Sequence, residues 1–360
     1  MCIICESKCE GNGYISLRGL ARLNIRDCQN ITFVPVIEGL QKLHIISCDS
    51  VTSIPSIEGL KMVYLDHCTS LTSIPVIKGL KKLYIRDCNT IASISDIEGI
   101  QELEISSCPY FTYIPTMKNI QHLRIYECAG VVSIPVIEGL QKIDMWNCPS
   151  LTCVPTIKGL QEIHIGKCQK ITYVPVIEEL KRICVAECPN ITFIPYIEGL
   201  HTLELWFCDN ITRIPDIEGL KKLRIGRCDN ITSIPAIEGL QELFIHDCSK
   251  FTYVPVIEGL QKLDIEKCQS LTFVPVIKGL QSLSIYSCKW LEIDNDQRSA
   301  VLKLQQRMKQ KARLKMFKKY VRSREFCEWF YSPDEFGGQA SKRSIGSFIQ
   351  KIVEEKRDNV

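Results

Sequence analysis

Apolar residues return along this chain at a fixed step. In Leu20-Ala-Arg-Leu23-Asn-Ile25-Arg-Asp-Cys28-Gln-Asn-Ile31-Thr-Phe-Val34-Pro35-Val-Ile37-Glu-Gly39-Leu40, the regularly apolar positions are 20, 23, 25, 28, 31, 34 and 37. The order restarts after 20 residues and does not slip: cysteine stands at 28, 48, 68 and every 20th position to Cys288, 14 in one register. Proline keeps the same interval from Pro35 to Pro275, with Ser95 as the exception. A fixed period of this length marks a solenoid, in which each unit buries its apolar face on the next.

The pattern inside one unit predicts its elements. Leu23-x-Ile25 alternates, as a short strand with both apolar side chains inward does. Leu20, Cys28, Ile31, Val34 and Ile37 are expected to enter the same core from the turns. Pro35 removes a backbone donor and fixes φ, so the return path is expected to be extended. The roughly ten remaining residues leave no room for a helix of usual length. Gly39 is expected at positive φ, turning the chain into the next strand. Asn119 suits that conformation; Glu179 suits it less and is expected to mark a local distortion. The expected fold is thus a β-rich solenoid, with a parallel sheet on one face and extended or turn segments on the return. A small helical unit at the C-terminus is expected to complete it. The boundaries follow the register: 1–19 a degenerate capping repeat, 20–293 the array, 294–360 a basic helical tail or cap.

Composition changes this picture in two places. The net charge of +3 is unevenly split, because residues 291–360 carry 16 Lys and Arg against 10 Asp and Glu. The tail is therefore net +6 and the array net −3. Twenty cysteines invite a disulfide reading, but the 14 in register follow the core pattern, where free cysteine behaves as a small buried hydrophobe. Reduced core thiols, and an N-terminus (Met1-Cys-Ile-Ile-Cys-Glu6) without the features of a signal peptide, lead us to expect an intracellular, cytoplasmic protein. No apolar run is long enough for a membrane span. The Asn-Ile-Thr sequences at Asn30, Asn190, Asn210 and Asn230 read as by-products of the repeat rather than glycan sites. Cys2, Cys5 and Cys9 offer three thiols at metal-ligand spacing; a structural zinc site usually wants four ligands, so these residues read as part of the cap and no metal or cofactor is expected.

The segment L-x-x-L-x-I-x-x-C-x-x-I, with its short I/V-P-x-I return, resembles the leucine-rich repeat family. The return is similar to the short repeats of bacterial effectors, and the ladder cysteine to cysteine-containing members. The resemblance covers residues 15–291 and implies a protein-binding scaffold. The segment 317–333, with Gly337-Gly338 and Ser341-Lys-Arg, resembles a C-terminal tail of repeat proteins from large nucleocytoplasmic DNA viruses, implying a viral protein in the host cytoplasm.

The strand positions that face outward vary while the core positions hold. They carry Tyr64, Tyr84, Arg124, Tyr126, Trp146, Glu204, Trp206, Phe207, Arg224, Arg227 and Phe244, and these are the candidate partner-binding residues. Trp, Tyr and Arg dominate interface hot spots. The plainer alternative is that the rings stack along the sheet as cross-strand pairs. The binding centre is expected between Tyr126 and Phe207. His67, His164, His246 and Cys184 have no repeated partner, and no catalytic set or phosphate loop is present, so no enzyme is expected.

Between Gln297 and Arg324 the tail has 11 basic residues and no acidic one. Val301, Leu304, Met308, Ala312, Met316 and Tyr320 recur at helical spacing and predict a basic amphipathic helix. Arg307, Lys309, Lys311, Arg313, Lys315, Lys318 and Lys319 are its candidate contacts. The helix either closes the solenoid or meets an anionic partner such as nucleic acid, which the array's own charge disfavours on the sheet. Leu304-Gln305 with Lys309 starts like a calmodulin-binding motif, but Leu314 stands where its second basic residue belongs. A second helix is expected to follow Ser341. The primary expectation is a non-enzymatic, monomeric protein–protein scaffold. The alternatives are nucleic-acid association through 297–324 and an adaptor in ubiquitination.

Overall fold

The structure, a computed structural model, describes Leu17, residues 19–289 and residues 295–323. The N-terminal cysteines Cys2, Cys5 and Cys9, the aromatic segment 326–331 and the helix expected after Ser341 lie outside the described residues. The chain divides into two units, Met1–Ser299 and Ala300–Val360.

The first unit is a parallel β-solenoid. Each repeat yields one five-residue strand, from β1 (Arg22–Arg26) and β2 (Lys42–Ile46) at every 20th residue to β14 (Ser282–Tyr286). The 14 strands form one sheet in sequence order, every neighbouring pair parallel. Pairing is in register, so Leu23 faces Leu43 and Ile25 faces Ile45. Alternation within β1 decides which side each residue takes: Leu23 and Ile25 are buried, and Arg22, Asn24 and Arg26 are exposed. The return segments carry no helix, as the prolines require, and isolated bridges such as Phe33 with Ser53 link neighbouring returns.

The core is a set of vertical stacks. Leucine or isoleucine at positions 40, 43 and 45, Cys48, Val51, Ile54 and Ile57 are all buried, and the equivalent positions are buried in the repeats that follow, except Leu280 at the last rung, which is half-buried. A side chain of this kind contributes about 1.5–3 kcal/mol on full burial, but each contacts only its neighbouring rungs. All 14 ladder cysteines are buried, and none of them forms a disulfide. Their thiols turn back on the strand that precedes them; Cys88 Sγ, for example, donates to the Arg86 carbonyl at 3.2 Å. Burial pushes the Cys128 and Cys268 thiols up to about 12.

Two turns close each rung. The first is at the expected glycine, with φ 84° at Gly39. Asn119 and Glu179 adopt the same conformation, at φ 70° and 72°. The distortion expected at Glu179 is absent: Lys181 N still donates to Gln161 O at 2.8 Å, and Arg182 N to the same oxygen at 3.0 Å. The hydrogen bonds on either side hold the backbone, and the side chain bears the strain alone. Glu179→Gly is therefore expected to stabilise the protein by about 1 kcal/mol, read as a higher urea midpoint at unchanged slope; an unchanged or lower midpoint would contradict this.

The second turn was not anticipated. The residue before every ladder cysteine, from Asp27 to Ser287, has a positive φ of 50–55°. Aspartate, asparagine and serine tolerate that region, but His67, Lys167, Phe207 and Arg227 adopt it as well. The reason is a hydrogen bond. At this φ the amide continues the ladder, as when Asp27 N donates to Ile46 O at 3.0 Å and Phe207 N to Gly226 O at 2.9 Å. Asparagine after the cysteine also serves the stack: Asn190, Asn210 and Asn230 each donate a side-chain N–H to a carbonyl of the preceding rung at 2.5–2.6 Å. That accounts for the recurring Asn-Ile-Thr.

One helix is described, α1 (Asn295–Val321), of 27 residues, which begins at the end of the first unit and runs on into the second. Arg307, Lys311, Arg313, Lys315, Lys318 and Lys319 are exposed along it, and Lys309 lies within it. The apolar stripe is weaker than its spacing predicts. Leu304 is half-buried, but Met316 is 60% exposed and Leu314, on another side, is 58% exposed. Basic residues are interspersed with the apolar ones along the helix rather than gathered away from them. Among the described residues no helix is long and apolar enough to cross a membrane.

Candidate functional site

The outward side of the sheet is built from two rows and a turn. Position 24 of the first strand and its equivalents make one row, position 26 and its equivalents a second, and the left-handed residue after each strand a rim. Because pairing is in register, each row runs straight across the rungs, with neighbours about 4.8 Å apart.

At the N-terminal end the rings pair with one another. Tyr64 and Tyr84 face each other across neighbouring strands, with ring centroids 6.3 Å apart and planes 47° apart, and His44 packs on Tyr64 at 5.7 Å. Tyr64 donates to Asp66 at 3.2 Å and Tyr84 to Glu102 at 2.7 Å. Burial and Glu102 push the Tyr84 hydroxyl up to about 12. For these two tyrosines the plainer reading, stacking along the sheet, describes what is seen.

The middle of the face differs. Tyr126 and Trp146 are neighbours in register, and Trp146 is in turn opposite Gly166. The indole lies flat on that glycine: a Cβ there would stand 1.9 Å from Trp146 Cε3. Sixty residues later the arrangement recurs, with Trp206 opposite Gly226 and a Cβ at Gly226 falling 2.3 Å from the ring. A glycine inside a strand often marks such a close approach. Trp146 remains 39% exposed, with Lys167 Nζ 5.6 Å from its ring. Phe207 follows Trp206 on the rim, 43% exposed, with the Arg227 guanidinium 5.1 Å from its ring. Arg227 also donates to Asp247 at 2.9 Å.

Ion pairs frame these rings. Arg124 stands between Glu104 at 3.6 Å and Asp144 at 3.5 Å. Asp144 is buried although it faces outward, with His164 Nδ1 2.6 Å and Lys142 Nζ 3.7 Å away. Burial works to raise its carboxyl, but His164, Lys142 and Arg124 outweigh burial and hold it below the usual carboxylate range. Glu204 is buried in the same way, between Arg182 at 2.9 Å and Arg224 at 3.8 Å. It is therefore less open to a partner than its outward position suggests, because long cations on both sides cover it. Arg224 in turn stacks on Phe244 at 4.9 Å. Burial and, behind it, Asp144 push the Tyr126 hydroxyl up to about 12.

His67, His164 and His246 each meet a carboxylate, although no such pair repeats from rung to rung. His67 Nδ1 is 2.7 Å from Asp66 and 3.6 Å from Asp87, and His246 Nε2 is 3.4 Å from Glu266. Asp66, His67 and Asp87 bring one ligand atom each within 4.8 Å of one another, as a metal requires. Arg86 Nε is also 3.2 Å from Asp87, and the Asp66 hydrogen bond holds the His67 imidazole above its usual value. The two carboxylates are thus balanced by side chains of the protein. Cys184 lies in register between His164 and Glu204, and burial and Glu204 push its thiol up to about 11, which disfavours the reactive thiolate.

No protein-family model matches the chain, and no curated protein sequence matches it. Among solved structures, a leucine-rich repeat protein from Bacteroides ovatus is similar at 14% identity and a TM-score of 0.36, over 74% of this chain and 78% of that one. The leucine-rich repeat domain of the type III effector XopL is similar at 18% identity and a TM-score of 0.25, over 74% and 76%. A leucine-rich cell surface protein from Faecalibacterium prausnitzii follows at 13% and 0.24, over 78% and 85%. The first two are leucine-rich repeat structures; at such scores the solenoid architecture rests on this chain's own geometry.

Sequence reasoning overlooked three groups of residues. The glycines under the indoles carried a signal, since glycine in an alternating strand is unusual. Asp264 and Glu266 extend the face beyond Phe244 and His246. On the return side, Phe33, Tyr113, Tyr173, Phe193, Tyr253 and Phe273 occupy one repeat position and are 39–58% exposed. Serine at several other repeats of that position concealed this row.

Proposed function

We propose that this chain is a non-enzymatic scaffold that holds a protein partner against the outward face of its sheet, centred between Tyr126 and Phe207. The observation that carries the reading is the pair of indoles lying on Gly166 and Gly226. Each gives a flat, preorganised apolar surface framed by ion pairs, and rings held in place lose little freedom on binding. The repeat's resemblance to leucine-rich repeat scaffolds agrees with it. The reading takes the solenoid as a monomer and the tail beyond 294 as a separate part. The tail's likeness to viral repeat proteins adds a host cytoplasmic setting to the same proposal.

The test is affinity capture with the full chain as bait, washed at low and high salt. A discrete protein retained at high salt, and lost from Trp146→Ala with Trp206→Ala, is the expected result. Retention that ignores both tryptophans would overturn the reading. A second reading, nucleic-acid binding by α1, is supported by its exposed cations Arg307, Lys311, Arg313, Lys315, Lys318 and Lys319. It expects nucleic acid on the bait at low salt, released at high salt.

A further inference from the structure

Beyond Trp206 the outward face opens into a hollow of about 320 Å³, lined by Trp206, Arg224, Phe244, His246, Asp264 and Glu266. It spans β10 (Thr202–Trp206), β11 (Lys222–Gly226), β12 (Glu242–His246) and β13 (Lys262–Glu266). Two aromatic rings supply its apolar part. Its charged groups are not equally engaged. Arg224 is held by Glu204 and by the Phe244 ring. Glu266 has Lys267 Nζ at 3.1 Å and His246 Nε2 at 3.4 Å. Asp264 has no ion pair or hydrogen bond among the described residues, and its register neighbours are Phe244 and Ser284.

Asp264 is the exception in its row. Asp144 and Glu204 occupy equivalent positions and are more deeply buried, yet each has cations beside it. Burial first, and then Glu266, push the Asp264 carboxyl above its usual value, whereas the cations of Asp144 pull its carboxyl the other way. A half-buried carboxylate beside a second carboxylate, with aromatic faces next to it, is a site for a cation: rings attract a cation electrostatically and the carboxylate fixes its position.

We propose that this hollow receives a cationic side chain, lysine or arginine, of the protein held on the sheet face, with its charge at Asp264 and its stem against Trp206 and Phe244. The proposal rests on the scaffold reading and names the chemistry of the partner at one point. Lysine and arginine share that chemistry, and the arms of the test separate them.

The probes are N-acetyl-arginine methylamide, N-acetyl-lysine methylamide and the neutral citrulline analogue, titrated into the full chain. The readout is the Trp206 indole N–H resonance, assigned by its loss in Trp206→Phe. One or both cationic probes are expected to shift it saturably, and citrulline is not. Asp264→Asn, nearly isosteric, is expected to weaken the effect about two- to fivefold, the upper scale of a solvent-accessible ion pair. Asp96→Asn, exposed on the return side, leaves it unchanged. Acidification weakens binding too, because the Asp264 carboxyl, held above its usual value, loses its charge early as the pH falls. Equal binding of citrulline, or no effect of Asp264→Asn in a protein with unchanged circular dichroism, overturns the proposal. Tryptophan-dependent capture of a protein with no cation binding would leave the scaffold standing and remove the hollow. Asp264-dependent cation binding without any captured protein would do the reverse.

Discussion

Phe111→Ala is expected to destabilise the array by about 3–5 kcal/mol, the usual loss for a phenylalanine removed from a packed core. Phe111 occupies a position that is isoleucine, leucine or valine in most other repeats, and it is completely buried. At Gly130, one rung on, an added Cβ would stand 2.6 Å from the Phe111 carbonyl oxygen and 2.7 Å from that of Pro109. The main chains of the two rungs are thus already in close approach beside Phe111. A solenoid spreads such a loss poorly, because each rung is supported by two neighbours alone. Urea unfolding followed by circular dichroism is expected to show a lower midpoint and a broadened transition, the two flanks of the array melting apart. A loss below about 1 kcal/mol would mean that the stacks around rung five relax freely, contrary to the packing described.

The second large effect is expected where stability hardly changes. In Gly166→Ala with Gly226→Ala, the new methyl groups occupy the places of Trp146 and Trp206. Both rings lie at the surface and can swing outward, so the fold survives. The flat platform does not. Capture of the partner is expected to fall about 10- to 100-fold, the scale of losing central aromatic anchors. Tryptophan emission should shift to the red as the rings enter water, while the thermal midpoint stays within a few degrees. Undiminished capture would show that the rings do not need their glycine floors.

Much of this molecule was legible from period and polarity. The strands, the parallel register, the extended return and the buried cysteines follow from which positions stay apolar every 20 residues. The left-handed residue before each cysteine was harder to see, because its cause is a main-chain hydrogen bond that is indifferent to the side chain. Phe207 and Lys167 satisfy it as well as Asp27 does. The site was half legible. The outward aromatics could be named from alternation, but whether a ring stacks on its neighbour, as Tyr64 does, or lies on a glycine, as Trp146 does, depends on the residue one strand away. The same lateral reach buries Glu204 and Asp144 under flanking cations on the outer face. Asp264 stands out by what its neighbours lack, and a linear reading of one strand does not show that.

The in-register ladder of β1 to β14 also makes the chain a ruler whose length can change without redesign. Removing or duplicating a block of 20 residues joins like to like: the same thiol, the same turn and the same two inward side chains meet across the seam. A change of any other size swings every later core residue toward water. Recombination between near-identical copies in the coding sequence thus yields folded products by whole rungs, and natural variants of this array are expected to differ in length by multiples of that unit. What such an exchange does alter is the spacing along the outer face, so a rung gained between Trp146 and Trp206 would move the two indoles about 4.8 Å further apart.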